Sequence, residues 1–244
     1  MLKNLIELTK VRIGFLVLVT TVIGFYLGSQ GQIDLSLLFF TIVGTLLSST
    51  GSSVMNNVIE SETDKLMERT KNRVLPTKKI SLFSAKIIGF TFIVSGLSIL
   101  NFKVNSLTSI LSIITIFSYL FLYTPLKRKS WLNTSIGAIP GALPPLGGWT
   151  AATGSLEWGG IAVFLILFFW QHPHFYSIAY LYKEDYKNAG LQMLPVIDGG
   201  IKRTVLHIFL HALILIPIST LPFFFGVSGR VYFVGAYILS NIYM

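Results

Sequence analysis

The stretch LSLLFFTIVGTLLSSTGSSVM, Leu35 to Met55, runs 21 residues without a charged side chain. A helix of that length rises about 30 Å, the thickness of a bilayer's hydrocarbon core, so the segment reads as a membrane span. Similar stretches recur on both sides of it. Cut at its charged clusters, the 244-residue chain predicts spans near residues 11–28, 35–55, 81–100, 106–123, 133–152, 158–180, 204–224 and 229–244. Composition agrees, with 52% hydrophobic and 12% charged residues, against about 25% charged in soluble domains. The expected fold is an all-α polytopic membrane protein, a bundle of about eight transmembrane helices in one domain over residues 1–244.

Orientation follows from the bases. The chain carries 19 Lys and Arg against 10 Asp and Glu, a net charge of +9. In a soluble protein that excess would suggest nucleic acid; here topology explains it and no nucleic-acid partner is expected. The N-terminus, the loop 56–80 with the start of the next span, and the loops 124–132 and 181–203 hold all the bases except Lys103 and Arg230. The positive-inside rule therefore places these loops and the N-terminus in the cytoplasm. The segment Val11 to Leu27 follows Lys3, Lys10 and Arg12, but it is too long for a signal-peptide core and has no A-x-A site, so it reads as a retained first span. With no cysteine, disulfides, thiolate metal sites and cysteine nucleophiles are excluded.

The acids need a separate reason, because Asp and Glu hardly affect orientation. Seven of the ten lie in the two large cytoplasmic loops. They could be a solvated mixed-charge surface, but their spacing argues otherwise. No Gly or Pro interrupts Asn56-Asn57-Val58-Ile59-Glu60-Ser61-Glu62-Thr63-Asp64. If the helix continues through it, Asn56, Glu60 and Asp64 share one face, with Asn57 at its border. Two carboxylates about 5 to 6 Å apart in a partly dry cavity call for a counter-charge. Mg²⁺ suits them, since it takes carboxylate oxygens and completes its shell with water and substrate phosphates. Arg69, Lys71 and Arg73 follow at once and suit an anionic diphosphate, Arg as a planar fork and Lys as a point charge. Lys127 and Arg128 stand at another boundary on the same side, where diphosphate binding and orientation are both open to them.

With Met67-Glu68-Arg69-Thr70-Lys71-Asn72-Arg73 after it, this motif resembles the first aspartate-rich motif of the UbiA-type intramembrane prenyltransferases, in their protoheme IX farnesyltransferase branch. Glu60 stands where that branch commonly has Asp. Two further blocks resemble the same branch. One is Tyr123-Thr124-Pro125-Leu126-Lys127-Arg128, continuing through Pro140-Gly141-Ala142-Leu143-Pro144-Pro145 to Trp149. The other is Trp170-Gln171-His172-Pro173-His174-Phe175, continuing through Glu184-Asp185-Tyr186 to Pro195-Val196. Together the blocks span about residues 51 to 200.

The resemblance implies farnesyl transfer from farnesyl diphosphate to a vinyl group of heme B, with water addition, giving heme O and diphosphate. It makes Asn57, Glu60 and Asp64 the catalytic group, and Asn56, Glu60, Asp64 and Asp185 the Mg²⁺ ligands. Arg69, Lys71, Arg73, Lys127 and Arg128 would hold the diphosphate, Gln171 and His174 the heme, and Tyr123 would be the aromatic residue near the diphosphate. It also implies a multi-pass protein of the bacterial inner membrane, with a heme A synthase or terminal oxidase as a possible partner. The family usually has nine spans, so a C-terminus that is truncated or divergent is expected.

Several readings stay open on the residues alone. The family's second D-x-x-x-D motif is missing, position 181 being Leu, and Asp185 could instead pair with Lys183 or Lys187. The span 133–152 is broken by three prolines, and Gly137-x-x-x-Gly141 suits both tight packing and cavity lining. His174 is a functional candidate as an intramembrane ionisable residue, or else a satisfied core histidine. His207 and His211 could cradle a heme or only face neighbouring helices. The competing functions are prenyl transfer to a quinone precursor or another aromatic ring, and, in a different class, membrane transport.

Overall fold

The computed structural model describes residues 2–243, and among these there are helices and connecting segments but no strand. A short α1 (Leu2–Leu8) precedes α2 (Val11–Gly28) and the long α3 (Leu35–Asp64). Asp34 starts α3 by accepting the Leu37 N–H at 3.0 Å, satisfying one of the helix's free donors. The next helix, α4 (Leu82–Ile99), ends in a π-helical turn, Leu100–Val104. α5 (Ser106–Phe117) runs through a second π turn, Ser118–Tyr123, into the single turn α6 (Thr124–Leu126). Then come α7 (Asn133–Thr153), α8 (Trp158–Leu181), two short helices α9 (Lys183–Asn188) and α10 (Leu194–Ile197), α11 (Lys202–Phe224) and α12 (Arg230–Tyr243).

Each expected span is thus a helix, though Met244, the last residue of the eighth, lies outside the described residues. Six helical stretches are long and apolar enough to cross a membrane: α2, α3, α4 with its π turn, α5 through α6, α8 and α11. The chain is a multi-pass membrane protein. α7 is not among the six, and its sequence shows why: Gly, Pro, Thr and Asn replace much of the large apolar content, and twelve of its 21 residues are buried. The expected break in this span is not observed. Pro140, Pro144 and Pro145 all sit inside one continuous helix. Proline removes a backbone donor, and neighbouring helices make such a segment tolerable within a membrane protein.

Without a hydrophobic drive between helices in lipid, close packing at small residues holds the bundle together. A Cβ added to Gly24 of α2 would stand 1.9 Å from the Pro145 carbonyl oxygen of α7, and one on Gly148 would stand 1.9 Å from the Thr21 oxygen. The pair α3 and α4 packs likewise, with a Cβ on Gly96 falling 2.5 Å from the Ser48 nitrogen. Large apolar side chains such as Phe15, Phe83, Phe102 and Phe121 are exposed around the outside, as a lipid-facing surface requires.

The basic loops interlock at one end of the bundle. Glu7 of α1 accepts the Val74 N–H at 3.1 Å. Gln192 N–H donates to the Lys127 carbonyl at 2.7 Å, and Asn133 Nδ2 donates to the Gln192 carbonyl at 3.1 Å. These bonds bring segments far apart in sequence over the ends of α3 and α5.

Candidate active site

Beneath that end lies a cavity of about 420 Å³ that follows one face of α3. The helix does continue through Asp64, so Asn56, Glu60 and Asp64 all line the cavity at helical spacing. Asn56 and Asp64 are 1% and 2% exposed. Opposite Glu60, Lys127 donates from Nζ to Oε1 at 2.7 Å; Arg73 Nη1 meets Asp64 Oδ2 at 2.9 Å. Arg69 also lines the cavity, so acids and bases from three segments face one space.

A fourth cation comes from a residue given only an orienting role above. Lys10 lines the cavity and donates from Nζ to Asn56 Oδ1 at 3.0 Å. Its backbone is left-handed, φ 50° and ψ 48°, an uncommon conformation for a residue with a side chain. That geometry joins α1 to α2 and aims the ammonium inward. Burial, then repulsion from Arg73, lowers its pKa to about 8, with Glu60 and Asp64 opposing the fall. Lys127 moves the other way: burial penalises its charge, but the Tyr123 and Glu60 oxygens outweigh that and hold it above the usual lysine value.

The π turn Ser118–Tyr123 adds two aromatic rings. It places Tyr119 and Tyr123 on the cavity wall, stacked with centroids 5.8 Å apart. Lys127 Nζ lies 4.5 Å from the Tyr123 centroid, within cation–π range. Such turns alter the helical register and recur at functional sites. The ring of Tyr123 rests on Gly137, where an added Cβ would come within 2.6 Å of it. Gly141 is covered by Gln171, whose Nε2 donates to the Ala138 and Leu167 carbonyls. Gly137 and Gly141 therefore line the cavity and make room for side chains.

Other expected site residues stand elsewhere. Asn57 donates from Nδ2 to the Leu8 carbonyl at 2.9 Å and lines a separate pocket of about 40 Å³, with its Oδ1 buried and unpartnered. Lys71 is exposed and pairs with Glu68. Arg128 bonds to the Thr63 hydroxyl and, like Lys71, is not a lining residue of the cavity. Asp185 turns both carboxylate oxygens to the loop after α3, accepting the Glu68 and Arg69 N–H groups at 3.3 Å each. That clasp seats Arg69, whose guanidinium lies 4.7 Å from the Tyr182 centroid and donates to the Tyr186 hydroxyl at 3.2 Å. His174 is on the exposed face of α8, stacked on Trp170 at 4.9 Å.

The remaining histidines tie α8 to α11. His172 stacks on His211 at 4.1 Å, donates from Nδ1 to the Phe168 carbonyl at 2.8 Å and bonds through Nε2 to Ser135 Oγ at 3.1 Å. His211 donates from Nδ1 to the His207 carbonyl. None of the three lines the cavity.

The donor set fits a hard divalent cation. An amide oxygen and two carboxylates on one face are oxygen ligands of the kind Mg²⁺ takes. Among the described residues no three His, Cys, Asp or Glu side chains converge on a metal position. Asn56, Glu60 and Asp64 by themselves are fewer ligands than a Mg²⁺ shell takes. Arg69, Arg73, Lys127 and Lys10 set four cations around the same cavity.

Comparisons with known proteins bear on the family and the fold. The model of the UbiA prenyltransferase family matches residues 17–244. A protoheme IX farnesyltransferase of Solibacter usitatus is 44% identical over 98% of this chain and 85% of its own length. One from Aquifex aeolicus is 43% identical over 100% of this chain and 83% of its own length. Among solved structures, a digeranylgeranylglyceryl phosphate synthase superposes with a TM-score of 0.83 at 19% identity, covering 99% of this chain and 84% of that one. A UbiA homologue from Archaeoglobus fulgidus bound to GPP and Mg²⁺ gives 0.80 at 17% identity, covering 98% and 85%. The two structures share the fold.

Proposed function

Because this chain belongs to the UbiA prenyltransferase family, we propose that it moves a farnesyl group from farnesyl diphosphate to a vinyl group of heme B, yielding heme O. The observation that carries the proposal is the single cavity in which Asn56, Glu60 and Asp64 face Lys10, Arg69, Arg73 and Lys127. Relatives at 43% and 44% identity, named protoheme IX farnesyltransferase, support heme as the acceptor.

In this reading Asn56, Glu60 and Asp64 hold Mg²⁺, which supplies Lewis-acid neutralisation of the diphosphate when bound. The four cations bind the phosphate oxygens and stabilise the charge that builds on the leaving group. The C1–O bond of the donor breaks and its electron pair departs with diphosphate. The terminal vinyl carbon bonds to C1; water then adds to the cation left beside the porphyrin ring and releases a proton. The faces of Tyr119 and Tyr123 stabilise the allylic cation. Apolar walls from α2, α5 and α7 keep water from quenching it early. Asp185 acts as a positioning residue through Arg69, and Gln171 shapes the wall next to α8. The basic end faces the cytoplasm of a bacterial inner membrane, and residues 1–244 act as one domain.

Replacing Asp64 by Asn tests the assignment. Loss of one of two carboxylates should lower kcat/KM at least a hundredfold, about 2.7 kcal/mol, and raise the Mg²⁺ concentration needed for half-maximal rate. An unchanged Mg²⁺ dependence would remove Asp64 from the metal site.

A further inference from the structure

The cavity has a measurable length along α3. Its lining residues on that helix include Thr45, Ser49, Ser52 and Asn56, a recurrence that keeps one helical face toward the space. These side chains are small, which leaves a channel, and two of them turn their hydroxyls back onto their own helix. Ser49 donates to the Leu46 carbonyl at 3.2 Å and Ser52 to the Ser49 carbonyl at 2.9 Å. Leu111 and Leu143 supply apolar wall from α5 and α7.

At the far end of this row stand buried side chains. Leu100, at the start of the first π turn, lines the cavity and is 1% exposed. It is seated on Gly44, where an added Cβ would fall 2.8 Å from Leu100 Cδ2. Beside it Thr108 lines the cavity and shares a 2.9 Å hydrogen bond with Thr150, both side chains being buried. Asn105 Nδ2 holds the Thr150 carbonyl at 2.9 Å. Thr41, one turn past Thr45 on α3, is 0% exposed and is not a lining residue.

From Asn56, where the polar head of the site begins, to Thr45 is a rise of about 16 Å at about 1.5 Å per residue. An extended chain advances about 3.5 Å for every three bonds. By that measure a farnesyl tail, with a twelve-carbon main chain, needs about 13 Å and a geranylgeranyl tail, with sixteen, about 18 Å. We propose that Leu100, with Thr45 on the same cavity wall, is the stop that sets donor length, accepting farnesyl and excluding geranylgeranyl. The inference rests on the prenyl-transfer reading above.

The test is a competition. The purified full chain in lipid nanodiscs is given heme B, Mg²⁺ and equal geranyl, farnesyl and geranylgeranyl diphosphates, and prenylated hemes are resolved by mass. Leu100→Ala should raise the geranylgeranyl-to-farnesyl product ratio about tenfold, deepening the channel by most of one side chain. Thr45→Phe should shift the geranyl-to-farnesyl ratio about tenfold toward geranyl. Should Leu100→Ala fail to fold, Thr45→Phe decides alone. A wild-type enzyme that farnesylates heme, with folded variants whose ratios stay within twofold of it, overturns the stop and leaves the reaction standing. A wild-type protein that transfers no prenyl group from any donor overturns both.

Discussion

Lys10 is the cation that its sequence context conceals. It precedes the first span, where the positive-inside rule already accounts for a base, and only the left-handed turn between α1 and α2 aims it at Asn56. Lys10→Ala should therefore raise the KM for farnesyl diphosphate about tenfold, with Lys10→Arg recovering much of the loss; identical KM values in steady-state assays would return Lys10 to a purely topological role. Asp185 shows the converse. The sequence marks it as a loop carboxylate near the site, but its partners are backbone N–H groups more than a hundred residues away, which no local spacing reveals. Asp185→Asn is expected to weaken diphosphate binding through Arg69 while leaving the Mg²⁺ dependence of the rate where it was. A shifted Mg²⁺ dependence would make it a ligand. Asn56, Glu60, Asp64, Arg69, Arg73 and Lys127 were legible, because helical spacing and charge alternation are properties of sequence alone.

The spans themselves were legible from hydropathy and length. What they do internally was not. The three prolines of α7 suggested a broken span, yet α2 packs so closely on it that the helix continues. The π turns on α4 and α5 left no sequence signal, though one supplies Leu100 and the other Tyr119 and Tyr123. Close packing at Gly148 makes a separate prediction. Gly148→Ala puts a methyl into the Thr21 backbone and should cost about 1–3 kcal/mol, read as a lower Tm in detergent. Gly235→Ala on α12, where nothing lies within 4 Å of an added Cβ, should not lower Tm, since Ala favours a helix interior over Gly. Equal melting curves would show that the α2–α7 contact is looser than described.

Across the bundle, charge has two duties. Part of the +9 excess marks one end of the helices, and part is drawn into the cavity to offset Glu60 and Asp64 and, in the proposed reaction, to receive a diphosphate. The cavity's polar head lies at the basic end and its apolar channel runs into the bundle, matching a donor with a charged head and a long hydrocarbon tail. Farnesyl transfer to heme is the central claim, and one measurement meets it directly. Membranes containing the protein are incubated with heme B, farnesyl diphosphate and Mg²⁺, and the hemes are analysed by mass. The account predicts heme O, with its farnesyl and hydroxyl additions, and none when Mg²⁺ is chelated. Unchanged heme B, while a quinone precursor or another aromatic acceptor added to the same membranes becomes prenylated, would contradict it.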